Sequence, residues 1–190
     1  MSTTASKRHT IARDTARRRA LFEGMARRFY AGVYNYLCWL SRDTGLAEDL
    51  TQETFMQIWQ HPPELRGARA LKTWVYRVAR NQYLQHRRRA GLETIAFEDC
   101  EAAQMTYASA ADPQLRLEKE QLRRAVRRAV QALPEPYREV IVLHNVEGLS
   151  LGHVAEVLEL PKGTVKSRRA KAFSMLRRLL GKQEGAGNAV

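Results

Sequence analysis

Cysteine is nearly absent from this chain: its 190 residues hold two, Cys38 and Cys100, far apart and in no CxxC or Cys/His spacing. That argues against a disulfide framework or a structural zinc site and fits a reducing cytoplasm. Cys38 lies in an apolar helical pattern and is expected to be a small core residue. Long apolar runs are missing as well. None approaches the roughly 18–20 residues that span a bilayer, so no direct membrane insertion is expected. The N-terminus carries Lys7, Arg8, Arg13, Arg17, Arg18 and Arg19 without the apolar stretch of a signal peptide, and residues 1–19 read as an unstructured basic arm. Catalytic groupings are lacking too. His9, His61, His86, His144 and His153 are scattered, with no nucleophile–base pair, metal-ligand spacing or phosphate loop, so no enzyme, metal or cofactor is expected.

Acids are in short supply overall. The formal net charge is +12, which calls for an anionic partner, with nucleic acid first and an anionic membrane surface as the alternative. The deficit is local. Residues 1–90 carry a net +10 and residues 116–190 a net +7, whereas residues 91–115 contain five acids and no Lys or Arg. Two basic bodies joined by an acidic connector are the outcome. Hydrophobic residues at 44% suffice for a core in each body.

Strand-like alternation is nearly missing, and apolar residues recur at three-to-four spacing, so the fold is expected to be all-α. Phe22, Phe29, Val33, Leu37 and Leu40 form one stripe, broken at residues 42–45. A second helix starts near Leu46, capped by Asp43 or Thr44, and stops before His61-Pro62-Pro63. A third runs over about 70–89. Gly91 and Asp112-Pro113 mark a flexible linker over 91–115. The second body, 116–181, gives a helix to about 132, another over 136–146, a short one over 151–158 capped by Ser150, and a last over 163–180. Residues 182–190 read as a frayed tail.

Three surfaces stand out. The short helix, the connector Glu159-Leu160-Pro161-Lys162 and the basic helix after it make a helix-turn-helix pattern, whose second helix enters the major groove. At about 100° per residue, Val165, Ala172, Leu176, Leu179 and Leu180 share an apolar arc. The opposite arc holds Lys166, Ser167, Ala170, Lys171, Ser174, Arg177 and Arg178 and no acid, which suits base edges and phosphates. A solvated basic face on an ordinary helix is the competing reading, and the capped helix and tight turn before it favour DNA. On the third helix, Leu71, Trp74, Val75, Val78 and Ala79 form the apolar arc. Its exposed arc is expected to carry Lys72, Tyr76, Arg77, Arg80, Tyr83 and Arg87, cations interleaved with rings as single-stranded nucleic acid requires. An amphipathic helix whose tyrosines cover its own neighbours fits that pattern equally well. The loop 65–69 before it has room for a base turned out of the duplex. On the second helix, Leu50, Thr51, Thr54 and Ile58 face inward, and Asp49, Gln52, Glu53, Met56 and Gln60 outward. This acidic face would repel phosphate. It suits a protein partner, though a plain solvated face is the commoner cause of such a pattern.

The order and spacing of several motifs carry a resemblance. In the first body they are Ala47-Glu48-Asp49-Leu50-Thr51-Gln52-Glu53-Thr54-Phe55 with Trp59, and Thr73-Trp74-Val75-Tyr76-Arg77-Val78-Ala79-Arg80-Asn81. In the second they are Leu133-Pro134-Glu135, Glu147-Gly148-Leu149-Ser150 and Pro161-Lys162-Gly163-Thr164-Val165-Lys166-Ser167-Arg168. Together they resemble the extracytoplasmic-function group of bacterial sigma factors from Phe22 to Leu180. The resemblance implies a region 2-like body over 20–90 and a region 4-like body over 116–181. It implies that Asp49, Gln52, Glu53 and Met56 dock on the clamp of core RNA polymerase. Arg66, Gly67, Trp74, Arg77, Arg80 and Asn81 would recognise and open the minus-ten element, binding the melted non-template strand. Lys166, Ser167, Ala170 and Lys171 would read the minus-thirty-five element in duplex promoter DNA. An anti-sigma partner is implied as well, and no cofactor. Three residues depart from the family pattern: Gln85 replaces a usual Asp, Arg169 stands on the apolar arc in place of Leu or Ile, and Glu159 takes the usual glycine of the turn.

A helix-turn-helix regulator that is no polymerase subunit would explain residues 150–180 but leave the first body without a role. Stoichiometric co-purification with core polymerase separates the two readings. A non-specific nucleoid protein explains the charge but neither the acidic connector nor the acidic outward face.

Overall fold

The computed structural model describes residues 3–63, 67–91 and 113–186, with side chains described from 15 to 181 apart from 17, 64–66 and 92–118. The acidic connector lies almost wholly outside these residues, as do Cys100 and Arg66 of the expected minus-ten loop. Seven α-helices appear among the described residues, and no strand: α1 (Thr3–Ser41), α2 (Thr44–Gln60), α3 (Ala68–Ala90), α4 (Pro113–Gln131), α5 (Glu135–Ile141), α6 (Leu151–Leu158) and α7 (Lys162–Ala186).

The arm expected to lack structure is instead the beginning of α1, which is helical from Thr3. Charge dominated the expectation, but Ala5, Ala12, Ala16, Ala20 and the arginines among them are strong helix formers. Arg18 also docks the helix. Its guanidinium donates to the carbonyls of Trp59 (2.6 Å) and Gln60 (3.2 Å) and lies 5.5 Å from the centre of the Trp59 ring. Those carbonyls end α2 and have no partner within their own helix.

α1 stops where Arg42 turns to φ 59° and Asp43 caps α2, its carboxylate accepting from the Leu46 N–H at 3.0 Å. The two helices lie against each other through rings. Phe22 meets Phe55 and Trp59 edge-on, and Tyr30 stacks on Phe55 at 5.4 Å between centroids. Val33, Leu37, Cys38, Leu50, Ile58, Val75 and Ala79 fill the core between α1, α2 and α3. Thr51 and Thr54 are buried there, and their hydroxyls donate to Ala47 O and Leu50 O one turn back, which satisfies them. Gly91, in the left-handed region at φ 62°, ends α3.

The second body packs α4 to α7 around Leu133, Val140, Val154, Val157, Val165 and Ala172. Arg138 is buried and donates to the carbonyls of Gln131 (3.0 Å) and Leu133 (3.2 Å), closing the end of α4. The helix expected over 136–146 divides into α5 and a π-helical turn, Val142–Val146. The Glu147 N–H reaches back five residues to Val142 O, and Leu149 N–H reaches Leu143 O, both at 2.9 Å. His144 Nδ1 lies 2.7 Å from Leu149 O; a carbonyl only accepts, so that nitrogen carries the proton. This turn delivers Glu147 to the side of α3.

Candidate nucleic-acid and polymerase surfaces

The helix-turn-helix is built as its residues imply. The Ser150 hydroxyl caps α6 by accepting from His153 N–H, and Val154, Val157 and Leu158 bury one face of that helix. Glu159 takes the left-handed conformation, φ 55° and ψ 44°, which is why glycine suits the position. The turn forms despite the departure, with Leu160 N–H donating to Ala155 O at 3.0 Å. On α7, Val165 and Ala172 are fully buried and Leu176 nearly so. Lys166, Ser167, Ala170, Lys171, Ser174, Arg177 and Arg178 are all exposed. Arg169 is half-buried, its guanidinium 5.0 Å from the centre of the Phe173 ring and its Nε buried without a hydrogen-bond partner. Gln85 is exposed, and nothing in the structure explains the departure there.

On α2, Asp49, Gln52, Glu53 and Met56 are exposed together, and Met56 keeps 60% of its surface open. Leu50, Thr51, Thr54 and Ile58 point the other way.

α3 requires a correction. Of the six side chains expected on its exposed arc, Arg77 alone is exposed; Asn81 beside it and Gly67 before the helix are exposed as well, and Trp74 is half-buried. Tyr76 and Tyr83 are buried, and Lys72, Arg80 and Arg87 are tied to the second body. Arg80 Nε meets Glu139 Oε1 at 3.0 Å, with 16% and 5% of the two side chains exposed. Arg87 forks onto both oxygens of Glu135 at 2.8 and 2.7 Å. Lys72 donates to the Glu147 carbonyl and the Tyr76 hydroxyl to the Glu147 carboxylate. Tyr36 of α1 donates to Glu139 at 3.4 Å, and Arg42 to Gln131 O at 2.6 Å. A helical projection orders side chains around one helix; it carries no information about a partner 48 to 75 residues away that covers one side of it.

Burial sets the protonation of this seam. It pushes the Tyr76 hydroxyl well up, reinforced by the Glu147 carboxylate, and pushes Tyr83 up to about 12, reinforced by Glu135 and opposed by Arg87. Glu139 is raised by burial against the pull of Arg80, and Glu147 by burial against its bond from Tyr76. Gly32 of α1 faces the same point. A Cβ there would collide with the Tyr76 hydroxyl and stand 3.0 Å from Glu147 Oε2. Glu135, Glu139, Glu147, Tyr36 and Gly32 are the residues that sequence reasoning missed. The one available signal was the i, i+4 spacing of Glu135 and Glu139 on a single helix face of an otherwise basic body.

Among the described residues no group of His, Cys, Asp or Glu is placed to hold a metal, and no helix is long and apolar enough to cross a membrane. Comparison with known proteins places both bodies. Sigma-70 region 2 matches residues 25–93, and Sigma-70 region 4 matches residues 123–176. The ECF RNA polymerase sigma-E factor of Haemophilus influenzae is 34% identical over 134 residues, covering 67% of this chain and 71% of the relative. The RNA polymerase sigma-H factor of Pseudomonas aeruginosa is 31% identical over 136 residues, covering 68% and 70%. Among solved structures, the sigma factor RpoE of Bartonella quintana, crystallised with the anti-sigma factor NepR, aligns with a TM-score of 0.63 and 25% identity over 84% of this chain and 96% of that one. CnrH, solved in complex with the cytosolic domain of CnrY, shares the fold with a TM-score of 0.59 at 21% identity, covering 86% and 90%. With both regions present in order on an all-helical frame, this chain belongs to the extracytoplasmic-function group of sigma-70 factors, non-enzymatic proteins that direct bacterial RNA polymerase to promoters.

Proposed function

We propose that this factor reads the minus-thirty-five element with α7 and opens the minus-ten element with α3 while α2 holds it on core polymerase. The observation that carries the reading is the acid-free exposed face of α7, set on a helix-turn-helix at the far end of the chain from the acidic exposed face of α2. Lys166, Ser167, Ala170 and Lys171 offer cations, a hydroxyl and a small side chain to groove edges and phosphates. Asp49, Gln52, Glu53 and Met56 form the face for the polymerase clamp, where acids and a flexible Met suit a protein and repel DNA. Gly67, Trp74, Arg77, Arg80 and Asn81 act on the minus-ten element once strands separate, together with Arg66 outside the described residues. The working unit is then a region 2-like body over 20–90, an acidic linker over 91–115 and a region 4-like body over 116–181, acting in the cytoplasm. The Bartonella relative is bound to an anti-sigma factor, and a partner of that class is proposed for this chain.

In vitro transcription with core polymerase on genomic fragments, followed by start-site mapping, tests the reading. The expected result is a set of starts that share two upstream sequence elements at a fixed spacing. Failure of core to retain the factor stoichiometrically, or transcripts with no shared upstream elements, would sink it.

A further inference from the structure

We infer that the cleft between the start of α3 and the start of α6 binds a small polyphosphate anion, held by Arg69, Lys72, His144 and His153. The contacts proposed above for promoter and polymerase use none of these four side chains. The inference therefore goes beyond that reading and does not depend on it.

Charge carries the first argument. The cleft has a volume of about 440 Å³, within the roughly 300–1,000 Å³ of small-molecule sites. Its described lining gathers an arginine, a lysine and two histidines, with no acid among them. Cations so gathered repel one another unless something neutralises them. Elsewhere in the seam each cation has its carboxylate, Glu139 for Arg80 and Glu135 for Arg87. The cleft has no such match. Among the described residues the exposed Arg69 guanidinium has no hydrogen bond or ion pair. Lys72 donates to the Glu147 carbonyl, a neutral acceptor that leaves its charge in place. The Glu147 carboxylate feels that charge, but it is bonded to the Tyr76 hydroxyl and stands outside the lining.

Backbone geometry carries the second. Both helices that border the cleft bring their N-terminal ends to it. Arg69 and Lys72 lie at the start of α3, Ser150 is the N-cap of α6, and His153 follows in its first turn. The leading N–H groups of a helix have no partner within it and carry partial positive charge. Gly67 precedes α3 without a side-chain hydrogen bond, so that end lacks the oxygen that usually caps a helix. Phosphate oxygens suit such ends, and they suit a guanidinium fork equally.

The placing of the donors selects the ligand. Arg69 and Lys72 come from the first body, His144 and His153 from the second. A diphosphate reaches donors on both sides and carries several charges in a small volume. The described lining offers no aromatic ring on which a base could stack, so the phosphates themselves are what the cleft recognises.

Calorimetric titration of the full chain with inorganic pyrophosphate tests this, beside titrations with ADP and with citrate. One pyrophosphate per chain is expected. Arg69→Gln and His153→Gln are each expected to weaken it about ten-fold, the scale of one charge-assisted hydrogen bond. Neither side chain makes a hydrogen bond or ion pair among the described residues, so both variants are expected to fold. Arg89→Gln removes an exposed cation from the other end of α3 and is expected to leave binding unchanged. Tighter binding of ADP would mark the source as a nucleotide, and equal or weaker binding a free polyphosphate; both support the site. Citrate bound as tightly as pyrophosphate would overturn the assignment to phosphate. Absence of saturable binding, or equal weakening by all three variants, would overturn the site and reduce the effect to the +12 net charge.

Discussion

Glu139 of α5 accepts a hydrogen bond from Arg80 of α3 at 3.0 Å, joining a buried acid in the second body to a cation proposed above to act at the minus-ten element. Arg80 is therefore held by the second body, and its substitution acts on the closure of the two bodies as well as on the DNA contact proposed for it. Arg80→Ala strands the Glu139 carboxylate and is expected to destabilise the closed fold by about 3–5 kcal/mol. Glu139→Gln in the same chain is expected to return most of that loss. Urea unfolding of the two single variants and the double variant measures it, and strict additivity would refute a direct coupling.

The α2 face gives a cleaner experiment, because its side chains point to solvent and support nothing. Asp49→Arg with Glu53→Arg is expected to abolish binding to core polymerase while far-ultraviolet circular dichroism stays as it was. Core retained undiminished by the folded double variant would rule this surface out.

For α7, Lys171 is exposed, with its ammonium 5.7 Å from the centre of the Tyr137 ring. Lys171→Ala is expected to weaken duplex binding and lower the salt slope by about one unit, the signature of one lost phosphate contact. A pre-melted bubble template is not expected to restore the lost duplex affinity. A slope equal to that of the unaltered factor would remove Lys171 from the interface.

The turn before α7 stores strain that can be released. Glu159 holds φ 55° without the freedom of glycine, at a cost of about 1–2 kcal/mol for an L-residue. Glu159→Gly is expected to stabilise the second body by up to about 1 kcal/mol, because it relieves that strain while the greater chain entropy that glycine loses on folding offsets part of the gain. Thermal unfolding reports it, and a lower midpoint in the variant would contradict the left-handed turn.

Alkaline titration probes the seam. Tyr83 ionises at about 12 in the folded chain, chiefly through burial and the Glu135 carboxylate, against about 10 for an exposed tyrosine. A folded value above the unfolded one means that its contribution is complete below pH ~10 and is lost as pH rises toward ~12. Tyr76 is shifted the same way by burial and Glu147. Tyrosinate absorbance is expected to lag behind that of the denatured chain across this window, and coincident curves would show the rings in contact with solvent.

The local elements were legible because each is written within a few residues. Asp43 and Ser150 cap their helices, prolines at 62 and 134 follow helix ends, and the apolar arc of α7 is the buried one. The helix-turn-helix and the outward face of α2 follow from the same short-range periodicity, as does the all-helical class. What the linear order could not contain is where the second body rests. Arg80, Arg87, Tyr76 and Tyr83 share one side of a helix whatever surrounds it, and periodicity alone assigns that side to solvent. Only tertiary packing supplies Glu135, Glu139 and Glu147 from at least 48 residues away, and with them the burial that turns a basic, aromatic face into a paired seam. The physical reason is one of range: caps, turns and helical faces are decided by neighbours within about one turn. A charge is left open to solvent or buried against a partner only once distant segments have met.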